Sequence, residues 1–205
     1  EVRVSAEITA LRQPIDHLGQ SLQALESVPT LQIITRPGAV ATGQKDQQTP
    51  RADVLIHLWP NHVLLCAAGW NLQSVAVGLD GVAVLPALSA NSAKSLLVQW
   101  LKVYAQAWAQ PLPVTFKAGL AFASEQISIK RSGSEVANEW IKEMALDKAR
   151  KEFSDDFSES TDLARSLYVQ RSFDHFDGLA EGLPIWAPLL YEDLIHAAAM
   201  EGNAT

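Results

Sequence analysis

The stretch Ser74 to Leu85 (SVAVGLDGVAVL) constrains the fold more than any other part of the chain. Two β-rich runs flank Asp80-Gly81. A two-residue type I′ turn needs positive φ at both central positions, and Asp-Gly adopts that backbone at little cost. The spacing predicts an antiparallel hairpin, closed by Pro86.

Around it the pattern is that of an α/β (α+β) chain: a small mixed sheet with flanking helices and a helical C-terminal half. Val2 to Leu11 alternates apolar and polar side chains, which predicts a strand with one wet face. Pro14 to Leu25 has helical spacing, and Leu31 to Thr35 reads as a second strand stopped by Pro37-Gly38. Gln44 to Pro50 is polar and predicts an exposed loop. Asp53 is a candidate N-cap for a helix ended by Gly69. Pro60 marks either a kink in that helix or a fresh start near Trp59. Ser89 or Asn91 caps a long helix to about Gln110, with Leu96, Leu97, Trp100, Leu101, Tyr104 and Trp108 as its apolar stripe. Further helices are predicted in Ala118 to Ser124, in Val136 to Phe153 (apolar side Val136, Trp140, Ile141, Met144 and Ala145), in Leu163 to Val169 and in Ala187 to Met200.

The 205 residues suit a single domain, and 48% hydrophobic residues are enough to bury a core. The opening Glu1, in place of a methionine, predicts either an excised fragment, as of a larger subunit, or a processed product. One cysteine, Cys66, leaves no disulfide framework and suits a reducing, cytoplasmic setting. No stretch is long and apolar enough for a membrane span, and no leader opens the chain. The net charge is −7, from 16 basic and 23 acidic residues. That weighs against an autonomous nucleic-acid binder, which commonly neutralises about 6–10 phosphates with a basic face. The densest basic run, Lys148-Ala-Arg150-Lys151, is flanked by Asp147 and Glu152 and reads as a solvated helix face.

Catalytic patterns are hard to find. His57 and His62 are five apart, which does not place two ligands on one helix face. His62, beside an apolar run, reads as a structural histidine. Asp174, His175 and Asp177 offer metal-ligand chemistry, but Phe173 and Phe176 flank them as a loop anchor would. Cys66 in LLCAAG reads as an inert buried thiol. Metal-dependent nucleases with a small mixed sheet often carry an Asp on one strand and (Asp/Glu)-x-Lys on the next; the carboxylates hold Mg²⁺. The residues two before each lysine are Gly43, Ser92, Trp100, Thr115, Ser128, Trp140, Leu146 and Ala149, and none is acidic.

His62 to Gly69, the Gly78-Leu-Asp-Gly81 hairpin, the Trp100 helix and Gln110-Pro-Leu-Pro113 stand in an ordered series. Lys117 to Ala121, Lys148 to Phe153, Tyr168 to Arg171 and Trp186 to Leu190 continue it. From about Leu31 to Ile195 this order resembles the C-terminal region of RecC, the gamma subunit of exodeoxyribonuclease V (RecBCD). Arg36-Pro-Gly38 also fits, while the polar insertion at Gln44 to Pro50 is longer than the family pattern.

The resemblance implies a PD-(D/E)xK nuclease-like fold, of the restriction-endonuclease type, that has lost its active site. It implies a bacterial, cytoplasmic scaffold and DNA-channel domain serving double-strand break repair and recombination. Its partners would be RecB-like and RecD-like subunits, with double-stranded DNA ends reached through the assembled complex. That complex is an ATP-dependent helicase and exonuclease. No catalytic residue, metal ligand or cofactor carries over. Phe173, Phe176, Trp186 and Tyr191 are the aromatic candidates for a partner surface, with helix packing as the competing reading. Two other functions compete: an active nuclease with a migrated site, and an unrelated cytosolic domain that binds a small molecule in a closed pocket.

Overall fold

The hairpin at Asp80 is present, and it sits inside a five-stranded mixed sheet. The computed structural model describes residues 11–12, 30–43, 48–133, 137–154 and 158–200. The strand expected in Val2 to Leu11 and the helix expected in Pro14 to Leu25 lie outside these, except for Leu11. Contacts divide the chain into two units: residues 1–99 with 197–205, and residues 100–196.

The first unit holds the sheet. Its strands are β1 (Leu11–Arg12), β2 (Thr30–Thr35), β5 (Leu72–Val77), β6 (Val82–Leu85) and β7 (Ala199–Met200), in that spatial order. β2 and β5 are parallel and the other neighbours antiparallel. A parallel pair needs a long crossover. Here it contains the two-stranded ribbon β3 (Ala41–Thr42) and β4 (Thr49–Pro50), then helices α1 (Ala52–Leu55) and α2 (Trp59–Ala67). Thr49 and Pro50 are thus paired to Thr42 and Ala41, not part of a free loop. Along β5, Leu72, Ser74 and Ala76 are buried while Gln73 and Val77 are exposed, the alternation that a pleated strand imposes. α2 covers this sheet with Trp59, His62, Val63 and Cys66 buried.

Two local expectations are corrected here. Asp53 does not cap α1; Arg51 holds the N-cap position, and Asp53 lies in the first turn, where it accepts two hydrogen bonds from the Arg51 guanidinium (3.1 and 2.7 Å). The helix then stops and restarts at Trp59, with Pro60 in the first turn, where its missing N–H costs nothing. Gly69 ends α2 at φ 94°, as expected. The hairpin turn is also longer than Asp-Gly predicts. Val77 pairs with Val82, so four residues, Gly78 to Gly81, form the loop. Gly78 is required there: a Cβ would stand 2.7 Å from the Gly38 carbonyl oxygen and 2.6 Å from Val40.

The second unit is helical. α3 (Ala90–Ala109) starts on the predicted cap, Ser89, whose Oγ accepts from the Ser92 N–H at 3.1 Å. The unit boundary falls inside this helix, at Gln99. α4 (Phe116–Arg131) and α5 (Asn138–Phe153) pack against each other, burying Phe122, Ala123 and Ile127 from one and Ile141, Ala145, Ala149 and Phe153 from the other. Trp140 and Met144, expected on that apolar side, are exposed instead; the buried residues recur every four positions and leave those two on the flank. The single helix expected over Leu163 to Val169 is two, α6 (Asp162–Arg165) and α7 (Leu167–Ser172), because Ser166 is extended and caps the second. α8 (Asp177–Ala180) and α9 (Leu183–Ala197) follow. The helix expected to reach Met200 ends at Ala197, since Ala199 and Met200 pair with Val84 and Ala83 as β7. Among the described residues, no helix is long and apolar enough to cross a membrane.

Gly119 in α4 is a close-approach position. A Cβ there would lie 2.7 Å from Tyr191 Cε2 and 2.8 Å from Val114 Cγ2. Tyr191 is buried. Overpacking of this kind costs about 1–3 kcal/mol, while Gly to Ala in a helix gains up to ~1 kcal/mol. Gly119→Ala is therefore expected to destabilise the chain by about 1–2 kcal/mol in urea unfolding. A stabilised variant would show that the close approach relaxes freely.

Candidate functional site

His62 and Cys66 are brought together by α2, four residues apart on its buried face. The ring Nε2 lies 3.8 Å from Sγ. That distance invites a Cys–His dyad, but the surroundings oppose it. Burial pulls the imidazole down to about 4 and pushes the thiol up. A thiolate–imidazolium pair needs both shifts in the opposite sense. Neither side chain reaches solvent: they are 0% and 1% exposed. The His62 ring instead meets the sheet. Ser74 Oγ donates to Gln32 Oε1 at 2.9 Å, and His62 Nδ1 lies 2.9 Å from the same hydroxyl, so its N–H is the donor. The Trp59 ring stacks on His62 at 5.7 Å. The result is a neutral, hydrogen-bonded chain from helix to sheet, Gln32–Ser74–His62.

Asp80 does more than permit a turn. Its carboxylate accepts the N–H groups of Val40 (2.7 Å) and Ala41 (3.1 Å), tying the hairpin loop to the segment leading into β3. These amides hold its carboxyl below the usual carboxylate range. Asp53 and Arg51 form their own pair beside this clasp. Asp80 is thus occupied by backbone amides.

In the helical unit the most connected polar group is Asp162. It accepts from Thr115 Oγ1 (2.7 Å), from the Lys117 N–H (2.9 Å) and from the Ala118 N–H (2.9 Å). Thr115 occupies the N-cap position of α4 but makes no capping bond of its own. Asp162, 47 residues away in sequence from Thr115, supplies that cap and sets a negative charge at the helix N-terminus. Tyr191 is buried nearby, and burial together with the Asp162 charge pushes its phenol well above the usual range.

The Phe173 to Asp177 segment reads as an anchor. Phe176 is buried against Phe153 (5.9 Å between ring centroids), with the Arg150 guanidinium 4.6 Å above its ring and Asp177 3.7 Å from Arg150. His175 and Asp174 are exposed, 3.8 Å apart. Among the described residues no group of three His, Cys, Asp or Glu side chains is placed to hold a metal. A hollow of about 440 Å³ lies beside Ser154, Thr161, Gln170 and Asp174, and among the described residues Asp174 is the charged one lining it.

Of the four aromatic candidates, Phe176 and Tyr191 are buried, and Phe173 and Trp186 are half-buried. The more exposed aromatics lie elsewhere. On α3, Val103 is buried and every residue from Tyr104 to Gln110 is exposed. Tyr104 is 59% and Trp108 81% exposed, and their rings sit 6.0 Å apart, tilted by 40°. Of the stripe read from the sequence, Leu96, Leu97, Trp100 and Leu101 are half-buried, and Tyr104 and Trp108 face solvent. Periodicity marks an apolar face and not what covers it. Composition carries a further signal: from Trp100 to Ser124 the charged residues are Lys102 and Lys117 alone.

The family model described as RecC C-terminal domain matches residues 1–127. It takes in the first thirty residues, which the ordered motifs did not reach, and stops at the end of the buried stretch of α4. A search of curated proteins finds no match.

Proposed function

Because the chain belongs to the RecC C-terminal domain family, whose role is tied to RecBCD, we propose that it serves that assembly as a non-catalytic scaffold and DNA-channel domain. In this reading it works in DNA repair and recombination beside RecB-like and RecD-like subunits. Its sheet is a nuclease-like core of the PD-(D/E)xK kind from which the catalytic charges are gone. One observation carries this: the described sheet strands bear no carboxylate. β2 (TLQIIT), β5 (LQSVAV) and β6 (VAVL) hold no charged residue at all. A metal-dependent nuclease needs two or more carboxylates converging on one ion, usually from adjacent strands. Among the described side chains, the polar ones buried in this sheet are Gln32 and Ser74, and both are committed to the neutral chain ending at His62. The carboxylate nearest the hairpin, Asp80, is engaged by the Val40 and Ala41 amides.

The test is a nuclease assay on the RecC-type subunit containing this chain, purified without its partners and given linear duplex with Mg²⁺. No degradation is expected, together with stable association when RecB-like and RecD-like subunits are added. Mg²⁺-dependent cleavage abolished by Asp53→Asn, Asp80→Asn or Asp162→Asn would replace this reading with an active nuclease. Failure to associate with either subunit would remove the scaffold role.

A further inference from the structure

We infer that Asp177-Gly178 is a site of spontaneous backbone isomerisation, at which the aspartyl side chain closes on the next peptide nitrogen and reopens as an isoaspartyl linkage, and that the fold protects Asp80-Gly81 from the same reaction. The sequence contains two Asp-Gly pairs, these two, and no Asn-Gly. Glycine favours the reaction because it has no Cβ to hinder approach to its nitrogen or to restrict the backbone. The sequence alone therefore offers two equal candidates, and the structure separates them.

The chemistry needs no reactant but water. The Gly178 nitrogen attacks Cγ of the protonated Asp177 carboxyl. A C–N bond forms, and the carboxyl hydroxyl leaves with the amide proton as water. Water then opens the five-membered succinimide at one of its two carbonyls. Opening at the side-chain carbonyl restores aspartate. Opening at the main-chain carbonyl breaks the original peptide bond and leaves the chain running through Cγ. Nothing is oxidised or reduced, and the mass is unchanged. The step requires a side chain free to turn and a peptide nitrogen that can leave its local hydrogen bonding.

Asp80 lacks that freedom. Its carboxylate oxygens accept the Val40 N–H at 2.7 Å and the Ala41 N–H at 3.1 Å, so a turn toward the Gly81 nitrogen breaks both bonds. Those amides favour the ionised carboxylate, whereas the ring closes from the protonated acid. The loop is fastened as well: the Gly78 N–H donates to the Gly81 carbonyl at 3.0 Å, and the Leu79 N–H to the Gly38 carbonyl at 3.3 Å.

Asp177 is placed differently. Its side chain is 86% exposed, and the Arg150 guanidinium 3.7 Å away is itself more than half exposed, a surface pair that restrains little. The residue stands in α8, a single turn of four residues, too short to persist on its own hydrogen bonds. The Gly178 N–H donates to the His175 carbonyl at 3.3 Å. A short turn with exposed backbone opens at low free energy, and opening releases this nitrogen. The isoaspartyl linkage adds one backbone atom between Phe176 and Leu179, both buried, so the product should unfold at a lower temperature than the parent.

The test incubates the complete RecC-type subunit, folded and in urea, at neutral pH for several days. Peptides carrying residues 80 and 177 are separated, and isoaspartate in each is measured by isoaspartyl methyltransferase labelling. In the folded subunit isoaspartate should accumulate severalfold faster at 177 than at 80, and in urea the two rates should converge. Gly178→Ala should fold, since its Cβ meets only Phe173 Cδ1 at 3.4 Å, and should slow the reaction at 177 severalfold. Asp177→Glu keeps the charge and should abolish the label there, because the six-membered ring closes far more slowly. Equal rates at the two sites in the folded subunit, or a faster rate at 80, would overturn the inference. So would an absence of isoaspartate at 177 in the folded subunit. A difference that persists unchanged in urea would assign it to neighbouring sequence and overturn the protection of Asp80 by the fold.

Discussion

Asp162→Ala is expected to destabilise the helical unit by about 3 kcal/mol, because one buried carboxylate performs three tasks there. It caps α4 by accepting the Lys117 and Ala118 N–H groups, which sit at the second and third helical positions and have no intrahelical acceptor. Loss of a cap alone costs about 1 kcal/mol. It satisfies the buried Thr115 hydroxyl at 2.7 Å. It also places a negative charge against the helix dipole, typically worth 0.3–1 kcal/mol or roughly that. With alanine, the hydroxyl and two amides lose their partner in a site where Asp162 itself is 8% exposed. An unsatisfied buried donor costs about 1–3 kcal/mol, so the sum outweighs any gain in helix propensity in the four-residue α6. Asp162→Asn keeps one acceptor oxygen and should lose roughly half as much. Urea unfolding of both variants decides it. Equal stability of alanine, asparagine and wild type would mean that water replaces the carboxylate at no cost.

The second large effect is a dependence of stability on pH, centred on His62. In the unfolded chain its imidazole titrates near 6.5, and in the folded chain at about 4, because burial disfavours the charged ring and the Pro86 carbonyl offsets this only in part. Between these values the unfolded state binds a proton that the folded state refuses. Stability is therefore complete above about 6.5, falls as pH drops, and has lost its His62 share by about 4. Two and a half pH units at about 1.4 kcal/mol each give a loss of about 3 kcal/mol. Other groups act further into acid. Asp53 and Asp80 have lowered values, so their contribution is present above 3.8 and disappears below it. Asp193, raised by burial and by Glu192, acts in the opposite sense. His62→Gln removes the titration and should flatten the curve between pH 6.5 and 4.5. An unchanged slope in that variant would assign the pH dependence to other groups.

These two residues also show where the sequence was legible and where it was not. The lone His62 on an apolar helix face pointed to a structural histidine, and burial at 0% exposure with a Ser74 partner agrees with that reading. The Asp162 cap left no trace, because its partners stand 44, 45 and 47 residues upstream and no spacing rule links them. Asp80 was half legible: Asp-Gly announced the turn, but the carboxylate's hold on Val40 and Ala41 is a contact across some forty residues. Tyr104 and Trp108 were placed on the apolar stripe of α3, and only the packing showed that this half of the stripe is left bare.

By itself, the sequence determined the central hairpin, the strand at Leu31 to Thr35, the start of α3 at Ser89, the end of α2 at Gly69 and the resemblance to RecC, which the family match over residues 1–127 bears out. These depend on backbone preferences and periodicities acting within a few residues, or on ordered motifs. The tertiary structure alone decided the four-residue loop at Gly78 to Gly81, the return of Ala199 and Met200 to the sheet, the remote cap of α4 and the exposure of the α3 aromatics. Each of these depends on groups brought together across the chain, where hydrogen-bond satisfaction and burial outweigh local propensity.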